Sequence, residues 1–329
     1  MRRRAFIGLL GAAAAWPFAA PAQQSDRTWR IGVFIARSKN DSEGAKHAAA
    51  LERGLKELGW IPGQNAQIDY RWQTDDPAQR SSFVNELVAL RPDILVVNST
   101  PYLTAVRDAT RTIPIVFVAI ADPVAQGFVE SLARPGGTIT GWGVEEPALA
   151  AKWAELLKEI APGVRSVTAI FNPEAAPFSR MFLPSVEAVL QRIGGELIVS
   201  PVRDESQTEQ AIAVAARRAA SGLIFLPDSS LSSHREFIVA AVAKHRLPAI
   251  YSIAAFAQSG GLIAYGIDRS DLFYRSAAYV DRILKGASPA TLPVQMPVKF
   301  ELAINLKTAK SLGLDVPPTL LARADEVME

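Results

Sequence analysis

The stretch FVAIADPVAQGFVESLARPGGTITG spans residues 117–141. It opens as an unbroken apolar run and stops at Asp122-Pro123. A short amphipathic segment follows, then Pro135-Gly136-Gly137, then β-branched residues again. A continuous apolar run of strand length suits a parallel strand buried on both faces. Asp followed by Pro reads as a helix start, with the Asp oxygen capping and Pro at the first helical position. Strand, cap, helix, turn and strand together are the grammar of a βα unit.

Outward from this stretch the same grammar recurs. Strand candidates lie at 31–36, 66–72, 93–98, 113–120 and 138–141, with helical patterns at 46–58, 76–90 and 100–110 between them. The alternation then begins again. A helix at 148–160 leads to strands at 166–171, 196–202, 222–226, 249–252 and 262–265, with helices near 177–193, 206–220, 234–245 and 253–258. The tail is less regular: a helix at 271–284, a strand at 298–304, a short helix at 307–312. Two such runs predict an α/β protein of two doubly wound, Rossmann-like lobes with a ligand cleft between them.

Composition narrows the function. The chain has 329 residues, 49% of them hydrophobic and 21% charged, enough for two ordinary globular cores. It has no cysteine, which excludes disulfides, thiolate metal sites and cysteine nucleophiles. Arg2-Arg3-Arg4, the apolar run 8–20 and Ala20-Pro21-Ala22 read as an export signal over residues 1–22, cut before Gln23. Arg3 to Ile7 resembles a twin-arginine pattern, although general secretion also accepts such a start. The apolar run is shorter than the roughly 20 residues of a spanning helix. Without those residues the formal charge falls from +2 to −1, so no nucleic-acid partner is indicated. The expected address is the periplasm, and the expected state is a monomer.

In open parallel sheets, ligands sit beyond the carboxyl ends of the strands. In the first half that rule selects Arg37, Ser38, Trp72, Gln73, Asn98, Ser99, Thr100, Ala121 and Asp122. In the second half it selects Asn172, Glu174, Asp228, Ser229, Ser252 and Asp268. Helix starts after Ser99-Thr100 and Asp122 would expose N–H groups to an anion. Glu174, Asp228 and Asp268 would accept from an ammonium or from hydroxyls. Phe34, Trp72, Tyr102, Trp142, Phe171, Tyr251 and Tyr265 lie at or near strand ends and would wall a pocket. Each feature also has a purely structural reading: Asp122 and Ser99 as caps, the aromatics as core, Asp268 as the partner of Arg269.

Several stretches resemble one family. Asp122-Pro123-Val124, Gly127-Phe128-Val129, Ser131-Leu132, Pro135-Gly136-Gly137 and Thr140-Gly141 resemble the central motif of the ABC-transporter substrate-binding family that includes the TrpX-type tryptophan-binding proteins. Asp69-Tyr70-Arg71-Trp72, the 113–117 run, Asn172-Pro173, Asn305-Leu306-Lys307-Thr308-Ala309, Leu312-Gly313-Leu314 and the 324–327 stretch extend the match over almost the whole mature chain. The resemblance implies a type I periplasmic-binding fold with three crossovers. The corresponding lobes are 28–142 plus about 269–290, and 143–268 plus about 291–329. It implies a solute-binding role by hinge closure, with an ABC permease and its ATPase as partners and no cofactor or metal. Tyr102, Phe128 and Thr138 depart from the family pattern, and Asn172-Pro173-Glu174 stands where the tryptophan-binding branch often shows an Asn-Ser-Glu-type loop. The expected ligand is therefore a small carboxylate, such as an aromatic or branched amino acid or an aromatic acid, rather than tryptophan in particular.

Two other classes compete. A periplasmic sensing module for a receptor would share the fold and pocket. A hydrolase is suggested by Asp228, Ser229 and His234, but no G-x-S-x-G elbow is present. His47, His234 and His245 lack metal-ligand spacing, and no P-loop or dinucleotide fingerprint occurs.

Overall fold

The computed structural model describes residues 27–74, 76–144 and 147–329. The expected export signal, residues 1–22, lies outside them. Twelve strands form among the described residues: β1 Trp29–Ile35, β2 Ala66–Trp72, β3 Ile94–Asn98, β4 Ile115–Ala121, β5 Ile139–Val144, β6 Ser166–Phe171, β7 Glu196–Pro201, β8 Ser221–Phe225, β9 Ala249–Tyr251, β10 Ile263–Ile267, β11 Phe300–Asn305 and β12 Glu326–Met328. They make two sheets, one per lobe.

The first sheet runs β2-β1-β3-β4-β5, all parallel. The second contains the same order as β7-β6-β8-β9-β10, extended by β11 antiparallel to β10 and by β12 parallel to β11. The repeated order places the chain reversal of each sheet between its first and third strands, where open sheets leave a crevice.

Alternation within the strands shows why the runs are so apolar. Ile31, Val33, Ile94, Val96, Val116 and Val118 belong to the core on one face of the first sheet; Phe34, Leu95, Val97, Ile115 and Phe117 belong to the core on the other. Successive side chains point to opposite faces, and both faces carry helices, so the inner strands are buried almost throughout, whereas the edge strand β2 is mostly half-buried. In β3 all five residues are buried.

Over the described residues the chain crosses between lobes three times. The first passage follows β5, after which the Pro147–Ile160 helix packs in the second lobe's core. The second follows β10. There the Arg269–Leu284 helix returns to lie along the Ser42–Glu57 helix, and Trp60 Nε1 donates to Asp281 Oδ1 at 2.9 Å. The third comes after Gln295, whose backbone exchanges hydrogen bonds with Gly141 and Gly143 beside β5. The expected boundary at 142 thus falls inside β5, and Leu292 to Gln295 stay with the first lobe. Glu326 and Val327, from the 324–327 stretch of the family match, lie in β12.

The 117–141 stretch folds as strand, turns, strand. No helix follows Asp122-Pro123, which corrects the helix expected there. Residues 123–127 form turns, with Phe128 N–H donating to Pro123 O at 2.9 Å and Gly127 reversing the chain at φ 69°. A Phe-Val pair follows too soon for a helix to outcompete burial: Phe128 and Val129 pack into the first lobe's core. Gly141 has φ 152°, and a Cβ there would lie 2.0 Å from Phe117 O. Only glycine permits β5 to lie this close to β4.

Candidate ligand cleft between the lobes

The site begins with backbone that local propensity does not favour. Ser99, Ala119 and Asp122 are non-glycine residues with φ of 93°, 59° and 35°. All three lie within or at the carboxyl ends of β3 and β4. Such conformations cost on the order of 1–3 kcal/mol each and concentrate at functional sites. Ala119 sits where the β4–β5 register shifts. Asn98 holds the distorted ends in place: its Nδ2 donates to Val118 O at 2.7 Å and its Oδ1 accepts from Ala36 N–H at 3.3 Å. One buried amide thereby laces β1, β3 and β4 together.

Ser99 occupies the N-cap of the Thr100–Ala109 helix, yet its side chain makes no capping bond. The buried hydroxyl of Thr100 has no hydrogen-bond partner among the described residues. This helix start therefore retains unused donors, which favour an anionic group.

From the second lobe, Asp228 approaches the same gap. It is buried, with Oδ1 accepting from Leu231 N–H at 2.9 Å and Oδ2 from Asn172 N–H at 2.6 Å. Burial pushes its pKa up to about 6, against the pull of those backbone N–H groups and of Arg37. Asp228 is thus first a clasp between the ends of β6 and β8. Asn172 Oδ1 in turn accepts from Glu174 N–H at 2.9 Å and shapes the following loop.

Among the described residues, three cavities between the lobes stand out. The largest, about 490 Å³, is lined by Gln73, Thr74, Arg80, Ser99 and Tyr102 of the first lobe and by Asn172, Glu174, Arg203, Glu205, Ser229, His234 and Phe237 of the second. A deeper gap of about 30 Å³ shares Ser99, Ala175 and Ser229 with it and adds Asn98, Thr100, Ala119, Phe178 and Asp228. A separate chamber of about 190 Å³ is lined by Arg37, His47, Asp268, Arg269 and Glu301 among others. Phe178 packs against the cores of both lobes and so bridges them at the cleft floor.

Among the residues selected from sequence, Gln73, Asn98, Ser99, Thr100, Tyr102, Asn172, Glu174, Asp228 and Ser229 come together along the first two cavities. Arg37 and Asp268 line the chamber instead. Arg37 is buried, donates to Ala36 O at 2.7 Å, and has its pKa lowered to about 9 by burial and then by Arg269. Asp268 caps the Arg269–Leu284 helix and accepts from Lys299 at 2.7 Å. The remaining selections line none of these cavities. Phe171 belongs to the second lobe's core, and Tyr251 stacks on Phe256 at 4.5 Å within it. Trp72 stacks on Tyr70 at 5.7 Å, Ala121 is buried, and Ser38 is exposed with its carbonyl in a turn. Asp122 accepts from Ala125 N–H at 3.0 Å. Tyr102 reaches the cleft, but its ring lies on Phe34 at 5.1 Å and its hydroxyl donates to Trp72 O at 3.1 Å.

Sequence reasoning missed Arg203, Glu205, Phe237 and Phe178, and it names His234 only as a hydrolase candidate. Arg203 follows the end of β7, so the strand-end rule that found the others would have found it. The rest lie on helices or loops without such a signal. Asp228, Ser229 and His234 make no relay: His234 Nδ1 faces Ser230 O at 3.0 Å, its Nε2 lies 3.9 Å from Glu205, and both Asp228 oxygens serve backbone N–H groups.

A profile of ABC transporter substrate binding proteins matches residues 38–328. This chain belongs to the ABC transporter substrate-binding protein family. A tyrosine-binding protein of Clostridioides difficile (strain R20291) is 28% identical over 263 residues, covering 80% of this chain and 75% of that one. The ABC domain from Streptococcus pneumonia solved in complex with L-Trp superposes with a TM-score of 0.84 at 26% identity, over 92% of this chain and 100% of that one. A conserved domain protein of Vibrio cholerae gives a TM-score of 0.84 at 28% identity with the same coverage. These neighbours agree with the type I periplasmic-binding fold that the two sheets display.

Proposed function

We infer that the protein is the periplasmic solute-binding component of an ABC importer and that it grips a small amino-acid-type carboxylate by closing its lobes. The observation that carries the reading is the strained, uncapped start of the Thr100–Ala109 helix facing the second lobe across the gap. A ligand carboxylate accepts there from backbone N–H groups and from the Ser99 and Thr100 hydroxyls. Glu174 and Glu205 stand on the opposite side to receive an ammonium. Pro101, Leu231, Phe237 and Ile238 supply an apolar wall for the body of the ligand. A cavity of about 490 Å³ suits a ligand of this size. That two relatives bind tyrosine and L-Trp favours an aromatic amino acid as this ligand.

The lobes close over the ligand and exclude water, which strengthens its few polar contacts. A micromolar dissociation constant needs about −8 kcal/mol, within reach of a few charge-assisted hydrogen bonds and one buried ring after ordering costs. The closed form is then offered to the permease.

The test is a thermal-shift screen of amino acids, aromatic acids, sugars and metal ions. Stabilisation grows with ligand excess, to about 2.7 kcal/mol at a hundredfold excess over the dissociation constant. Hits are expected among amino acids and aromatic acids. Shifts with sugars or metal ions alone would defeat the reading.

A further inference from the structure

Among the described residues, a deeply buried ion pair joins the lobes beside the cleft. Asp41, in the first lobe, ends the loop that follows β1; Arg235, in the second lobe, begins the Arg235–Lys244 helix beside the cleft residue His234. Arg235 Nη1 donates to Asp41 Oδ2 at 2.6 Å, with side chains only 10% and 5% exposed. The other carboxylate oxygen, Oδ1, accepts from Glu43 N–H at 2.8 Å and caps the Ser42–Glu57 helix. One carboxylate therefore fixes a helix of its own lobe and reaches the opposite lobe.

We propose that Asp41 and Arg235 form a closure latch, a pair made when the lobes meet and broken when they part, which sets the balance between closed and open forms. The proposal rests on the hinge-closure reading of the cleft. Both groups lose water on closing, and their attraction together with the capping and carbonyl bonds around them offsets that loss. Arg235 also reaches Ser232 O at 3.4 Å, so its guanidinium is aimed across the gap before Asp41 meets it. Removing Arg235 leaves Asp41 with Arg37 as a nearby cation, and removing Asp41 leaves Arg235 near the like charge of Arg37 without that carboxylate between them. Either way a buried charge loses its hydrogen-bonded partner in the closed form, which then opens to solvate it. The latch thereby acts on ligand retention without touching the ligand.

The chain lacks cysteine, so spin labels attach only where cysteine is introduced. Asn85→Cys on the Pro77–Ala89 helix and Gln210→Cys on the Glu205–Ala216 helix place two exposed labels on opposite lobes. Pulsed electron spin measurements of the ligand-free protein are expected to show a short distance, matching the closed arrangement, and a longer one. Asp41→Asn keeps a good helix cap, and it should lower the closed-to-open ratio about tenfold or more. Arg235→Met should do the same. The double variant, with neither member of the pair left to bury, should recover part of the ratio, because the two losses are coupled. Thermal melting separates lobe opening from unfolding. Variants that keep the short distance in full, losses that simply add, or a parent protein without the short distance overturn the latch. None of these outcomes depends on which compounds bind, so failure of the ligand screen is a distinct result.

Discussion

At the scale of single residues, the cleft trades conformational comfort for chemistry. Ser99 is held at φ 93° with its hydroxyl uncommitted to the helix it precedes. Ser99→Gly should relieve the backbone and raise stability by about 1 kcal/mol, while ligand affinity falls about tenfold for a lost hydrogen bond. Melting and calorimetric titration read the two effects separately, and a variant that binds as tightly as the parent would remove Ser99 from the site. Asp228 is the opposite case, a residue whose first duty is structural. Asp228→Ala leaves the N–H groups of Asn172 and Leu231 without their acceptor, at a cost of about 1–3 kcal/mol near pH 4. The carboxyl titrates near 6 in the folded state against an ordinary 3.8. Between those values the folded protein binds a proton that the unfolded chain has released. The group's contribution to stability is thus largest below about pH 4 and falls by roughly 2–3 kcal/mol as pH rises through 6. Denaturant titrations of parent and variant should therefore differ markedly more at pH 4 than at pH 7; an equal gap would contradict the buried, raised carboxyl.

At the scale of elements, the decisive contact is between helices far apart in sequence. The Ser42–Glu57 and Arg269–Leu284 helices touch so closely that a Cβ on Gly54 would lie 2.5 Å from Tyr274 O and 2.8 Å from the Ala277 methyl. Gly54→Val should cost about 1–3 kcal/mol by forcing them apart. A denaturation midpoint unchanged from the parent would show that the pair has slack. The same contact explains the strong helical pattern at 271–284: its apolar face fits the first lobe, although the residues before it build the second. Most other elements were legible because their signals are local. Gly59 reverses the chain at φ 90° after the first helix, Asp76 caps at the expected place, and apolar runs of five to seven residues became buried strands. The exception is instructive. Asp122-Pro123 has the chemistry of a helix start, but Phe128 and Val129 are drawn into the core after a single turn. Capping supplies about 1 kcal/mol, and burying two large side chains supplies more.

At the scale of the whole molecule, the proposed function depends on two bodies whose facing edges meet. Bound amino acid should shift the protein toward the compact form described here, so X-ray scattering should give a smaller radius of gyration with ligand than without. Identical profiles at saturating ligand would end the hinge-closure reading. The cleft itself was only half legible in sequence. Strand-end reasoning found Ser99, Thr100, Asn172, Glu174, Asp228 and Ser229, because the carboxyl ends of parallel strands always meet the crevice. It misplaced Tyr251 and Phe171, because a strand end that leads toward the cleft still points alternate side chains into the core.

By itself, the amino-acid sequence determined the two runs of strand and helix, the mostly parallel character of their sheets, most of the turns between them and the family motif. All of these depend on neighbours within a few residues, through 2.0 and 3.6 periodicity, caps and glycine conformations. Tertiary structure alone decided which side of each strand end faces the cleft, that residues 292–295 stay with the first lobe, and that Asp41 meets Arg235 across 194 residues of chain. Those outcomes turn on which surfaces can be buried together once the lobes exist, a competition among distant groups that no local pattern records.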